Sequence, residues 1–144
     1  MIALLLESYL FIAYIKKEDW LKGTAHALIN AIEDGRLSPV QASTEVFHEI
    51  YYVFSDYAPL SVILADEAKI ATIKNLKYVN PDAMIYLTAL SIMDTCRMTS
   101  IFDAVYAATT LSAQVPDHTI ISTDENYDNV KGLQWVDPRQ LKLS

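Results

Sequence analysis

Ile2-Ala3-Leu4-Leu5-Leu6-Glu7-Ser8-Tyr9-Leu10-Phe11-Ile12-Ala13-Tyr14-Ile15 opens the chain, and how this stretch is read decides the fold. An apolar start of this kind resembles a signal sequence or a membrane anchor. It is too short to span a bilayer, carries Glu7 in its middle, and has neither a basic start nor a cleavage site. The expectation is a strand over residues 2–6, apolar at every position and so buried on both faces, running into a helix over about 8–16.

Further along, a second helix is expected over about 19–33, ended by Asp34-Gly35 with Gly35 as its C-terminal cap. A second strand follows over 37–42, with Pro39 near its start. Ser43 or Thr44 caps a helix that runs to about Tyr57. Pro59 opens the next, to about Asn75. A third strand covers 76–79, Asn80-Pro81 starts a helix reaching about Arg97, and Ser100 starts a short apolar helix to about Leu111. Strands at 119–122 and 133–136 complete the series. Strands alternating with helices, without hairpin signals, imply an α/β fold with a parallel five-stranded sheet covered on both faces, in three layers. With 144 residues and no linker, repeat or low-complexity stretch, one domain over 1–144 is expected.

Composition narrows the function. Hydrophobic residues make up 52% and charged residues 20%, as in a globular chain. The net charge of -7 argues against a basic nucleic-acid clamp. It leaves open a metal-dependent nuclease, in which bound cations supply the local positive charge. Cys96 is the only cysteine, so an intrachain disulfide and a Cys-based zinc site are excluded, and a reducing, cytoplasmic setting is expected.

In a parallel sheet the C-terminal ends of strands and the N-terminal ends of the covering helices meet at one edge, where open α/β sheets bind ligands. Four acids fall there. Glu7 follows the first strand, Glu49 lies early in the helix after the second, Asp103 is in the first turn of the helix beginning at Ser100, and Asp124 follows the fourth strand. Two carboxylates about 5 Å apart repel by roughly 3 kcal/mol at an effective dielectric of 20. Such a cluster stays ionised at low cost only with a cation, and hard oxygen donors with room for water suit Mg²⁺ or Mn²⁺. Three of the acids also have a plain structural reading: Asp103 as part of a capping box with Ser100, Glu49 as a solvated helix residue, Asp124 as a turn residue or helix cap. Glu7, a charge interrupting an apolar run, is the oddest of the four and needs an explanation.

The helix from Ser43 is amphipathic, with Val46, Phe47, Ile50, Tyr51, Val53, Phe54 and Tyr57 on one arc and Glu49 at its border. Other patterns carry little. Glu45-Val46-Phe47-His48 has the spacing of a di-iron ligand pair but no second copy. His26 and His118 stand alone, and no Gly-rich turn follows the first strand.

Four blocks resemble the PIN-domain family, many of whose members are ribonuclease toxins. They read Leu6-Glu7-Ser8-Tyr9-Leu10-Phe11, Glu45-Val46-Phe47-His48-Glu49-Ile50, Ser100-Ile101-Phe102-Asp103-Ala104 and Ile121-Ser122-Thr123-Asp124-Glu125-Asn126-Tyr127. The resemblance implies strand order 3-2-1-4-5 and a Mg²⁺- or Mn²⁺-dependent ribonuclease, with Glu7, Glu49, Asp103 and Asp124 as catalytic metal ligands. It also implies an RNA substrate, an antitoxin protein as partner, and a homodimer. Ser122 and Ser8 would orient the acids. Asp128 reads as a water-mediated contact or as a solvent-facing residue. Lys16, Lys17 and Arg97 are candidate phosphate contacts; Ile50, Tyr51, Tyr57 and Tyr86 are candidates for a partner surface or for the core. Two positions depart from the family pattern: Glu7 where Asp is usual, and Tyr9 where a small Asn or Ser is usual. These support a second reading, a non-catalytic PIN-like domain that binds RNA or a protein.

Overall fold

The computed structural model describes residues 3–37 and 39–143. Its five short strands are β1 (Leu4–Leu6), β2 (Val40–Ser43), β3 (Leu76–Val79), β4 (Thr119–Ile121) and β5 (Gln134–Val136). They form one sheet of order β3-β2-β1-β4-β5 in which every pairing is parallel. Six helices flank it: α1 (Ser8–Ile15), α2 (Lys22–Glu33), α3 (Glu45–Phe54), α4 (Leu60–Ala71), α5 (Ala83–Cys96) and α6 (Ile101–Thr110). The expected fold class, parallel sheet and strand order all hold. Ile2 and Ser38, placed in the first and second expected strands, lie outside the described residues.

Burial explains why the apolar opening reads as core. β1 and β4 are buried at every position, and α1 buries Ser8, Leu10, Phe11, Ile12 and Ala13, so this helix is covered on nearly all sides. Among the described residues no helix is long and apolar enough to cross a membrane. The edge strands β3 and β5 are more exposed, as one-sided pairing requires.

Helix ends follow local chemistry. Beyond α2, the Gly35 N–H donates to the Ile32 carbonyl at 3.0 Å and the Arg36 N–H to Ala31 at 2.9 Å, with Gly35 at φ +77. That crossed pair of bonds needs a left-handed residue, which glycine adopts without strain. α2 starts later than expected, because Asp19 closes a turn by accepting the Leu21 N–H at 2.9 Å. Ser43, rather than Thr44, supplies the hydroxyl at the start of α3, accepting the Glu45 N–H at 3.1 Å. Asp82 caps α5 by accepting the Ile85 N–H at 2.9 Å. Asp82→Ala is expected to lower stability by about 1 kcal/mol in urea titration, with no change at the acidic edge.

The amphipathic arc of α3 is narrower than its sequence implied. Val46 and Ile50 are buried, but Tyr51 is 46% and Tyr57 65% exposed. α3 stops at Phe54, so Tyr57 falls in the following turn, its ring edge-on to Phe54. Tyr51 instead joins Leu60, Ile63 and Leu64 of α4 around an open apolar groove of about 400 Å³. Tyr86 is also exposed, its hydroxyl donating to Glu45 at 2.8 Å.

Candidate functional site

The strand order reverses between β1 and β4, which pair Leu6 with Ile121. The residues that leave these two strands therefore emerge side by side at the C-terminal edge of the sheet. Glu7 leaves β1 with its N–H donating to the Ile121 carbonyl at 3.2 Å, and its side chain caps α1 by accepting the Tyr9 N–H at 3.2 Å. Only 6% of Glu7 is exposed. Asp124 follows β4, its N–H donating to the Ser122 hydroxyl at 3.0 Å, so Ser122 fixes the turn that carries the acid.

Glu49 and Asp103 arrive from the helices. Ser8 Oγ lies 2.7 Å from Glu49 Oε1 and 3.1 Å from Glu7 Oε1, and the Tyr106 hydroxyl donates to the same Glu49 oxygen at 2.8 Å. The Asp103 N–H donates to Ser100 Oγ at 3.4 Å, so the capping reading holds for its backbone while its carboxylate faces the cleft. Glu7, Glu49, Asp103 and Asp124 line one cleft of about 440 Å³ together with Tyr9 and Thr123. The topology thus brings all four expected acids together.

Their electrostatics are those of a crowd without a counter-charge. Among the described residues none of the four forms an ion pair with a lysine, arginine or histidine. Burial first, then the Asp103 and Glu49 charges, push the Glu7 carboxyl up to about 8, although Tyr9 and Ser8 donate to it. Burial, then Glu49 and Asp124, push Asp103 up to about 6. Among the described residues no three His, Cys, Asp or Glu side chains stand ready to enclose a metal ion. Mg²⁺ does not require such a cage: it keeps several waters and takes one or two carboxylates plus substrate phosphates. An all-oxygen, acid-only donor set in a polar cleft fits that kind of ion.

Two tyrosines belong to the site and were not legible as such. Tyr106 and Tyr127 are both fully buried. The Tyr127 hydroxyl has no hydrogen-bond partner, and burial together with Glu7, Asp103, Tyr106 and Asp124 holds it protonated. In sequence Tyr106 sits in an apolar run and reads as core, while Tyr127 stands among polar residues at the end of the fourth block. Tyr106→Phe is expected to cost about 2 kcal/mol, since a buried bond to a carboxylate is lost. Melting at pH 7.5 checks it.

The remaining candidates are elsewhere. Asp128 is solvent-facing and accepts the Trp135 indole N–H at 2.7 Å. Lys16 pairs with Asp19 at 3.9 Å, and Lys17 is exposed; neither lines the acidic cleft. Arg97 lines a second polar cleft of about 280 Å³, which shares Asp103 and includes Asn126 and Asn129.

Comparison with known proteins agrees with this geometry. A family model described as the PIN domain matches residues 4–133. No curated protein sequence matches the chain. Among solved structures, VapBC2 from Rickettsia felis, bound to a DNA fragment from its promoter, superposes with a TM-score of 0.70 at 10% identity, covering 94% of this chain and 98% of that one. VapC20 from Mycobacterium tuberculosis, a toxin that cleaves the sarcin–ricin loop, gives 0.67 at 16% identity, over 87% and 92%. A toxin–antitoxin complex from Klebsiella pneumoniae gives 0.61 at 15% identity, over 93% and 96%.

Proposed function

Because this chain belongs to the PIN-domain family, we propose that it is a Mg²⁺- or Mn²⁺-dependent endoribonuclease acting as the toxin of a toxin–antitoxin pair. The observation that carries the reading is the convergence of Glu7, Glu49, Asp103 and Asp124 on one cleft with no cationic side chain among the described residues paired to them. When bound, a divalent ion there supplies a Lewis acid that offsets phosphate charge and makes water a better nucleophile. Glu7, Glu49, Asp103 and Asp124 would hold it, the last three being less buried than Glu7. Glu7 and Glu49 are steadied through the shared Ser8 hydroxyl, and Tyr106 keeps Glu49 aimed inward.

A protein partner is supported by the exposed groove of Tyr51, Leu60, Ile63 and Leu64, since apolar side chains so grouped on a surface mark docking sites. An antitoxin is the partner that the toxin–antitoxin relatives suggest. A homodimer, and function in the cytoplasm, belong to the same proposal.

The second reading, a non-catalytic domain that binds RNA or protein, draws on the longer acid at Glu7 and on its burial, which favours the neutral form. Cleavage of labelled single-stranded RNA with Mn²⁺, beside EDTA and Asp103→Asn controls, separates the two. Cleavage lost in both controls establishes the nuclease. Folded protein that neither cuts RNA nor binds Mn²⁺ leaves the second reading.

A further inference from the structure

The side chain at Tyr9, which departs from the family pattern, is the mount of an aromatic platform. Tyr9 lines the acidic cleft, and its hydroxyl donates to Asp19 Oδ2 at 2.9 Å. The Tyr9 hydroxyl oxygen in turn accepts the Trp20 indole N–H at 3.1 Å. The Arg139 guanidinium lies over the Trp20 ring, 5.1 Å from its centre, and is itself held by Asp137, with Nε donating to Oδ1 at 2.9 Å. Trp20 is nevertheless 64% exposed.

A tryptophan that served only packing would bury its ring. This one has its N–H satisfied and a cation against the ring, yet most of its surface stays in water, one residue from the cleft. Holding a large aromatic group in place at the surface without burying it prepares it for something that arrives from solution. The neighbours say what. Asp19 and Asp137 repel a phosphate, while the neutral ring, backed by a guanidinium, attracts another π-system. Bases within a duplex have no free face, so the arriving group is an unpaired base. We propose that Trp20 is a nucleobase-stacking subsite at the rim of the acidic cleft, taking one base of a single-stranded RNA beside the phosphate to be cut; this rests on the ribonuclease reading.

The test measures binding apart from cleavage. In Asp103→Asn protein with Mn²⁺, the Kd for a short fluorescein-labelled single-stranded RNA is compared among Trp20, Trp20→Phe and Trp20→Ala, with far-UV circular dichroism checking that each is folded. Stacking on one base predicts that Trp20→Ala raises Kd about tenfold and that Trp20→Phe, which keeps an aromatic face, recovers most of it. An RNA with a single abasic position, moved along the strand, should at one position reproduce the tenfold loss with Trp20 and add nothing with Trp20→Ala. Unchanged binding by Trp20→Ala, while the wild-type protein cleaves RNA, overturns the subsite and leaves the ribonuclease standing. Equal losses for Ala and Phe also overturn it, since the indole N–H and not stacking would then matter. RNA that is neither bound nor cut removes the ribonuclease reading and the subsite with it. If Trp20→Ala weakens only a protein partner, the platform is a protein contact and the proposal falls.

Discussion

Asp103→Asn is expected to lower Mn²⁺-dependent RNA cleavage by at least about a hundredfold and, in the metal-free protein at pH 7.5, to raise the melting temperature. The two effects have one cause. Burial and the neighbouring Glu49 and Asp124 charges push Asp103 up to about 6, so at pH 7.5 it is ionised against both. Asparagine keeps the shape and removes the charge. The capping bond to Ser100 comes from the backbone N–H of residue 103, so it survives the substitution. A purely structural Asp103 would behave otherwise, its loss lowering stability and activity together. The variant should also show a smaller rise in melting temperature on adding Mn²⁺, because one ligand is gone.

The metal-free wild-type protein is expected to lose stability as pH rises from about 4.5 toward about 8, by on the order of 4 kcal/mol. Glu7 has its folded pKa raised, from an ordinary 4.5 to about 8. Through that window the folded state holds a proton that the unfolded chain has released, so raising the pH favours unfolding. Stability is full below about 4.5 and is lost as pH passes through the folded value near 8; Asp103 adds the same sign between 3.8 and about 6. A bound divalent ion stabilises the ionised carboxylates and should reverse most of the loss at pH 7.5. Urea titrations at pH 5 and pH 7.5, with and without Mn²⁺, read both effects. A flat pH profile together with no Mn²⁺ shift would show that the four acids do not act on one another.

The opening segment made the fold legible because its physics is local. An unbroken apolar strand followed by a charge, a hydroxyl and more apolar residues allows few other packings, and the alternation of strands and helices then implies the parallel sheet. The four acids could be placed at one edge from topology alone, since strand ends and helix starts must meet there. What sequence could not reveal was which neighbours close around them. Tyr106 bonds Glu49 across 57 positions, and nothing nearby in sequence marks an aromatic residue in an apolar helix as more than core. Tyr51 and Tyr57, left between a partner surface and the core by their spacing, are exposed. Periodicity tells which residues share an arc, but the width of the arc that is covered depends on where α4 lies. Tyr9 was legible as a departure, yet its meaning depends on Trp20 and Asp19, which only the turn between α1 and α2 brings within reach.

The pairing of β1 with β4 also has a bearing on how the protein is made. The first of the five strands to be made sits at the centre of the sheet, and one of its two neighbours is not synthesised until Thr119–Ile121. Glu7 therefore waits for every residue up to Asp124 before that acid can stand beside it. At about 5–20 residues per second the acids come together on the order of ten seconds after Glu7 is added. A nascent chain released before that point carries the first three acids without the fourth. If the cleft cuts RNA, the growing polypeptide is harmless to the transcript that encodes it until Asp124 has been added.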